Sequence, residues 1–130
     1  MHALQQVGLV ALGGAAGSVL RFGLTTGAVA LGAQPLVGTL AANIVGCLAG
    51  GVLLGAVAAL HTADHPWRLL LITGLLGGLT TFSAFGLETA ALFRDAKPAW
   101  ACANIAANVV LGLGAAWGGF MIGRAMNAGA

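Results

Sequence analysis

Charged side chains are scarce in this 130-residue sequence, which has only five lysines and arginines and three aspartates and glutamates. They make up 6% of the chain, whereas 59% of it is hydrophobic. A soluble domain of this composition would expose one continuous apolar surface, so an ordinary soluble fold is excluded. The net charge of +2 is spread over isolated positions and predicts no nucleic-acid partner. A lipid bilayer is the surrounding that fits this composition.

Residues that commonly carry catalysis or bind metals are also few. Cys47 and Cys102 lie in hydrophobic runs, where packing is favoured over a disulfide. No nucleophile elbow, phosphate loop or paired acid at catalytic spacing is present, so the sequence does not indicate an enzyme. His61, Asp64 and His65 form a short polar cluster that is more typical of a hydrated loop than of a metal site.

The few charges divide the chain into long uncharged stretches. Each stretch approaches or exceeds the roughly 20 apolar residues that span a bilayer. The sequence therefore predicts an all-α integral membrane protein in which residues 1–130 form a single domain. Its four transmembrane helices are expected at about residues 4–31, 35–60, 67–93 and 98–126. A multi-pass protein of a bacterial plasma or inner membrane is the expected class.

The basic residues balance between the two faces of the membrane. With four spans, Arg68 and Arg124 lie on one side and Arg94 and Lys97 on the other. Because the bias in lysine and arginine normally fixes orientation, the chain has no strong preferred direction and can insert both ways. Two oppositely inserted copies can form a two-fold dimer, although Arg21, the histidines or other proteins can equally decide the orientation.

The third hydrophobic stretch carries paired glycines and paired threonines, in the run from Gly77 and Gly78 to Thr80 and Thr81. Both pairs are poor helix formers, so we expect this helix to be broken near its middle. Carbonyls freed at such a break inside a membrane are good ligands for a hard cation.

Phe82 and Phe85 follow the break at a spacing of three residues, which puts both rings on one helix face. A phenyl ring can present its electropositive edge to an anion. Ordinary packing is the alternative for both residues.

Polar side chains also recur at helical spacing in the second and fourth helices. Thr39 and Asn43 lie one turn apart, as do Asn104 and Asn108. Such stripes either line a narrow path or join helices through hydrogen bonds, and the spacing leaves both open. Arg21 and Glu88 are ionisable residues within predicted spans, where they are functional candidates unless they extend to the membrane surface.

Three segments together resemble the Fluc family of fluoride channels. They are the run from Gly13 through Gly17 to Arg21, the run from Gly38 and Thr39 through Asn43 to Gly46, and the run from Gly77 to Ser83. The resemblance covers nearly the whole chain, and the third segment is the most specific.

The resemblance implies a dual-topology, antiparallel homodimer that exports fluoride passively through two narrow pores. It also implies a structural sodium ion held by the backbone carbonyls of Gly77 and Thr80. The residues that the sequence and the resemblance assign to the anion pathway are Arg21, Thr39, Asn43, Phe82, Ser83, Phe85, Glu88, Asn104 and Asn108.

The chain departs from the family pattern in the fourth helix, where a tyrosine is usual near Asn104, because it contains no tyrosine. Ala84 also replaces a usual hydroxyl residue. Two other functions are consistent with four short spans: a dual-topology small-molecule exporter, and a membrane assembly subunit without transport of its own. The exporter family centres on a glutamate in its first helix, where this chain has only Arg21.

Overall fold

A computed structural model describes residues 2–128, except for the side chains of Ala59 and His61. These residues form four long apolar helices and no strand, which confirms the predicted all-α membrane fold. The first two spans are α1 (Ala3–Ala30) and α2 (Pro35–Ala56). The third consists of α3, covering residues 68–79, and α4 (Phe82–Arg94). The fourth span is α5 (Pro98–Ala128).

The second span is shorter than predicted. It ends at Ala56 rather than at residue 60, and Ala58–His61 forms a separate 3₁₀ turn. Leu60 in this turn is buried, and its carbonyl accepts a hydrogen bond of 2.6 Å from Arg68 Nη1. The arginine at the start of α3 therefore holds the second loop against the helices.

The first and third loops share the same backbone geometry. Two residues after the end of each preceding helix, the backbone has positive φ, 81° at Gly32 and 54° at Ala96. The next N–H bonds back to the helix, from Ala33 to the Ala28 carbonyl and from Lys97 to the Leu92 carbonyl, both at 2.9 Å. This is the Schellman arrangement. A proline at the first position of α2 and of α5 then starts the following helix without losing a backbone hydrogen bond.

Glycine seams hold the helices together. A Cβ at Gly13 or Gly17 of α1 would collide with the backbone of α3, and one at Gly78 would come within 2.5 Å of the Gly14 carbonyl. The α2–α5 pair uses a second seam of glycines in the same way, formed by Gly51, Gly55, Gly119 and Gly123. Such small residues let membrane helices approach closely, and this places α3 and its break against α1 and α2.

Two segments are wound more widely than an α-helix. Arg68–Leu76 of α3 and Ala107–Leu111 of α5 form π-helical turns. Single π-turns within helices often occur next to functional sites. In this chain one leads into the break of the third span and the other contains Asn108.

Candidate functional site

The third span is interrupted at Thr80 and Thr81. Both have extended backbones, with φ and ψ of −80° and 152° at Thr80 and −152° and 121° at Thr81. The last helical bond of α3 runs from the Thr80 N–H to the Leu76 carbonyl at 2.9 Å. The Thr81 hydroxyl caps α4 by accepting from the Ala84 N–H at 3.2 Å. The break thus falls on the threonine pair, while Gly77 and Gly78 remain helical.

Asn43 of α2 replaces the helical bonds that Thr81 has lost. Its Oδ1 accepts from the Thr81 N–H at 2.8 Å, and its Nδ2 donates to the Thr81 carbonyl at 3.3 Å. The same Nδ2 donates to Asn108 Oδ1 at 2.8 Å. These contacts engage the amide's acceptor and both of its hydrogens. The interhelical hydrogen bond considered for Asn43 is therefore present, and its contact with an anion stays a prediction.

An open depression of about 270 Å³ lies beside the break. Phe82 and Phe85 form part of its wall, with ring centroids 5.3 Å apart in an edge-to-face arrangement. The Phe82 side chain is 83% exposed, whereas Phe85 is only 8% exposed. Asn43 and Asn108 supply the polar part of the same wall. Four of the residues predicted for the anion pathway thus meet in one depression, and Thr80, predicted for the sodium site, lines it as well.

Behind this wall the polar side chains continue as a chain of hydrogen bonds. Asn108 Nδ2 donates to both the backbone oxygen and the Oδ1 of Asn104, each at 3.1 Å. Asn104 Nδ2 donates to Thr89 Oγ1 at 3.0 Å, and the Thr89 hydroxyl donates to the Phe85 carbonyl at 2.8 Å. Sequence reasoning missed Thr89. The available signal was its position four residues after Phe85, on the same helix face.

A second cluster contains Arg21, Thr39 and Glu88. These residues line a separate cavity of about 310 Å³, together with Ser18 and Thr25. The Thr39 hydroxyl donates to Glu88 Oε1 at 2.6 Å, and Glu88 Oε2 is buried without a hydrogen-bond partner among the described residues. Arg21 Nε donates to the Gly78 carbonyl at 3.2 Å. Thr39 lies one turn from Asn43, so the two clusters are neighbours along α2.

Ser83 is exposed at the start of α4, where its hydroxyl lies 3.1 Å from that of Thr81. It does not line the break depression. The Ser83 hydroxyl therefore contacts the helix cap and lies outside the depression that Phe82 and Phe85 line.

The carbonyls predicted to bind a cation belong to Gly77 and Thr80. Since the last bond of α3 ends on Leu76, no hydrogen bond within residues 2–128 uses either carbonyl. Both residues line an open apolar groove of about 390 Å³, with Gly46, Gly50 and Leu76. Free carbonyl oxygens suit a hard cation, so the donor set fits sodium.

The loop histidines lie apart from both clusters. The side chain of His61 lies outside the described residues, so the expectation that this loop binds no metal stays a prediction. His65 Nδ1 is buried without a hydrogen-bond partner among the side chains that the structure describes.

Four apolar spans, one of them broken at membrane depth beside a polar cluster, define a multi-pass membrane protein of the kind that moves ions or small solutes. Residues 8–120 match the sequence profile of the family described as CrcB-like protein, Camphor Resistance (CrcB), and the chain belongs to this family.

Relatives in several bacteria are similar along almost their whole length. A protein of Methylobacillus flagellatus is 46% identical over 120 residues, covering 90% of this chain and 93% of the relative. One of Rhizobium etli is 46% identical over 122 residues, covering 93% and 98%. One of Paracoccus denitrificans is 43% identical over 117 residues, covering 90% and 93%. Each is named fluoride-specific ion channel FluC, which confirms the resemblance to that family.

Proposed function

We propose that this chain is a fluoride channel that exports fluoride from the cytoplasm by passive conduction. The observation that carries the proposal is the 46% identity, over 90% or more of this chain, to relatives named fluoride-specific ion channels. Its multi-pass helical structure suits a channel. No enzymatic step is involved.

We assign the narrow part of the path to the break depression. Fluoride is strongly hydrated, so a pore must replace its water with donors and polarised groups while binding weakly enough for release. The positively polarised edges of Phe82 and Phe85 are groups of this kind, and the Asn43 and Asn108 amides, whose hydrogens are engaged within the chain, add polar surface to the same wall. Asn104 supports the amides from behind.

The second cluster is assigned to the entrance of the path. Arg21 supplies positive charge there, and Thr39, held by Glu88, supplies a hydroxyl. Ser83 adds a second exposed hydroxyl at the start of α4. The Arg21 guanidinium attracts anions, and the Glu88 carboxyl in the same cavity opposes that attraction.

The channel is proposed to be an antiparallel homodimer. One chain offers an open depression rather than a closed tunnel, so a second wall is needed. The neighbouring apolar groove at Gly46, Gly50 and Gly77 is a suitable surface for a second copy. A two-fold arrangement gives each copy the same contacts and generates two equivalent paths.

A structural sodium ion is proposed at the Gly77 and Thr80 carbonyls. One chain brings the Gly77 and Thr80 carbonyl oxygens to this groove, and a two-fold partner would bring the same pair again. A cation held there would neutralise the partial negative charges of carbonyls that have lost their helical bonds. These residues would stabilise the assembly, and the anion path would lie beside them.

Fluoride release from liposomes tests the proposed function. Purified protein is reconstituted into liposomes loaded with potassium fluoride, and external fluoride is followed with an ion-selective electrode. Valinomycin should trigger rapid release, because passive movement of an anion alone needs a compensating potassium current. Protein-free liposomes and chloride-loaded liposomes serve as controls. Release no faster than from protein-free liposomes would reject the channel.

A further inference from the structure

A directional chain of hydrogen bonds runs from the break depression into the helix bundle. Asn43 donates to Asn108, Asn108 donates to Asn104, and Asn104 donates to Thr89. Thr89 then donates to the backbone carbonyl of Phe85. Every member therefore uses its oxygen to accept from one neighbour and its N–H or O–H to donate to the next.

Backbone groups fix the direction of this chain at both ends. The Thr81 N–H can only donate, so Asn43 must turn its oxygen toward Thr81 and its NH₂ toward the chain. The Phe85 carbonyl can only accept, so the Thr89 hydroxyl donates there and leaves its oxygen as the acceptor for Asn104. A flipped Asn104 would instead bring its NH₂ against the NH₂ of its neighbour.

Thr89 is linked to the two amides of the depression through Asn104, and it bonds to Phe85 at the backbone carbonyl. It is 8% exposed and does not line the depression, whereas Asn43, Asn108 and Phe85 do. We propose that Thr89 is a positioning residue for the anion path, because its hydroxyl ends the amide chain and sets the orientation of the two amides in the wall. The inference rests on the proposed channel function.

Thr89→Val tests the hydroxyl while keeping the shape of the side chain. The variant leaves Asn104 Nδ2 buried without its acceptor, and the chain must shift or reorient to satisfy it. We expect fluoride release to fall about tenfold, the size expected when one buried hydrogen bond is lost. Thr89→Ser keeps the hydroxyl and should release fluoride at close to the parental rate.

The liposome experiment also includes a double variant and a matched control variant. In Asn104→Leu protein the group that Thr89 satisfies is gone, so adding Thr89→Val should change the rate little further. The control is Thr26→Val on α1, whose exposed hydroxyl bonds only to carbonyls of its own helix. Each protein is checked for dimer content by size-exclusion chromatography with light scattering, and flux is normalised to the reconstituted amount.

The proposal is overturned if Thr89→Val conducts at the parental rate, if Thr89→Ser is as impaired as Thr89→Val, or if Thr89→Val has its full effect in the Asn104→Leu background. If Thr89→Val does not fold, Thr89→Ala takes its place with the same outcomes. Parental protein is measured in the same series. Its failure to release fluoride rejects the channel itself, whereas parental release with unaffected variants rejects only the role of Thr89.

Discussion

At the scale of single residues, Asn43 shows why the break requires an amide. An extended residue inside a membrane leaves both an N–H and a carbonyl without helical partners, and an unsatisfied polar group in an apolar setting costs about 1 to 3 kcal/mol. Only asparagine and glutamine carry an acceptor and two donors on one side chain. Asn43 uses all of them, on Thr81 and on Asn108. Asn43 therefore satisfies the backbone at the break and joins it to the polar wall beside it.

Asn43→Asp should abolish most fluoride conduction. The carboxylate keeps the acceptor for the Thr81 N–H but faces the Thr81 carbonyl and Asn108 Oδ1 without a hydrogen to donate. Losing two hydrogen bonds of about 1 to 1.5 kcal/mol each corresponds to a loss of about 100-fold in rate, and the negative charge adds repulsion toward an anion. Liposome flux measures the effect. Asn127→Asp, an equal change at an exposed position near the end of α5, is the control. Parental flux from a dimeric Asn43→Asp protein would remove Asn43 from the path.

The two phenylalanines can be tested separately because they differ in exposure. Phe82→Ile removes a largely exposed ring and preserves apolarity, so it should lower fluoride flux about three- to tenfold with the dimer intact, if the ring edge contacts the anion. Phe85→Ile should lower flux as well, with added loss of stability from the buried site. Phe93→Ile, an exposed ring at the end of α4, controls for loss of aromatic surface. If Phe82→Ile and Phe85→Ile both conduct like Phe93→Ile, neither ring serves the path.

At the scale of elements, the broken span shows what the sequence could predict. Its break was expected from the weak helix formers between Gly77 and Thr81, and the structure has it on the threonines. The glycines stay helical, and Gly78 packs so closely on Gly14 of α1 that a Cβ there would come within 2.5 Å of the Gly14 carbonyl. The exact position depends on Asn43, which lies 38 residues away along the chain. No local propensity contains that information.

The remaining site residues also show that spacing within one helix predicts a shared face but not the contacts between helices. The spacing of Asn104 and Asn108 predicted a shared face, and they do bond to each other. That this pair continues into Thr89 depends on how α4 packs against α5, which spacing within one helix does not specify. The separation of Arg21, Thr39 and Glu88 into their own cavity likewise follows from packing between three spans.

Gly77→Leu tests the groove as an assembly surface. Within the chain, the nearest atom to a Cβ at Gly77 is the Ile72 carbonyl at 3.8 Å, so the subunit itself can accept a side chain there. In a two-fold dimer the added bulk would meet the partner twice, at about 1 to 3 kcal/mol each time, and should shift the protein toward folded monomers. Light scattering after size exclusion measures the shift. Gly118→Leu, with nothing within 4 Å, is the control. An unchanged dimer would show that Gly77 faces lipid.

At the scale of the whole molecule, the basic residues are divided evenly between the two sides of the membrane. Arg68 and Arg124 lie at the second-loop side, and Arg94 and Lys97 lie at the opposite side. Of these charges, Arg94 bonds to its neighbour Asp95 at 2.9 Å, and this bond holds the pKa of the Asp95 carboxyl below its usual value. Large apolar side chains such as Val110, Leu113 and Trp117 remain exposed along α5, as a lipid-facing surface requires. Neither face has the excess of basic residues that normally fixes orientation.

Dual insertion can be measured with one engineered thiol. Asn127→Cys, in a background with Cys47→Ala and Cys102→Ala, puts the only cysteine near the end of α5. A membrane-impermeant maleimide added to intact cells should label about half of the molecules, because balanced charges give no preferred direction. Adding Thr62→Lys and Ala63→Lys at exposed positions of the second loop should draw that side into the cytoplasm, remove the outside labelling and, with it, the antiparallel dimer. Complete labelling, or complete protection, before the lysines are added would mean a single orientation. The antiparallel dimer would then have no second orientation from which to form.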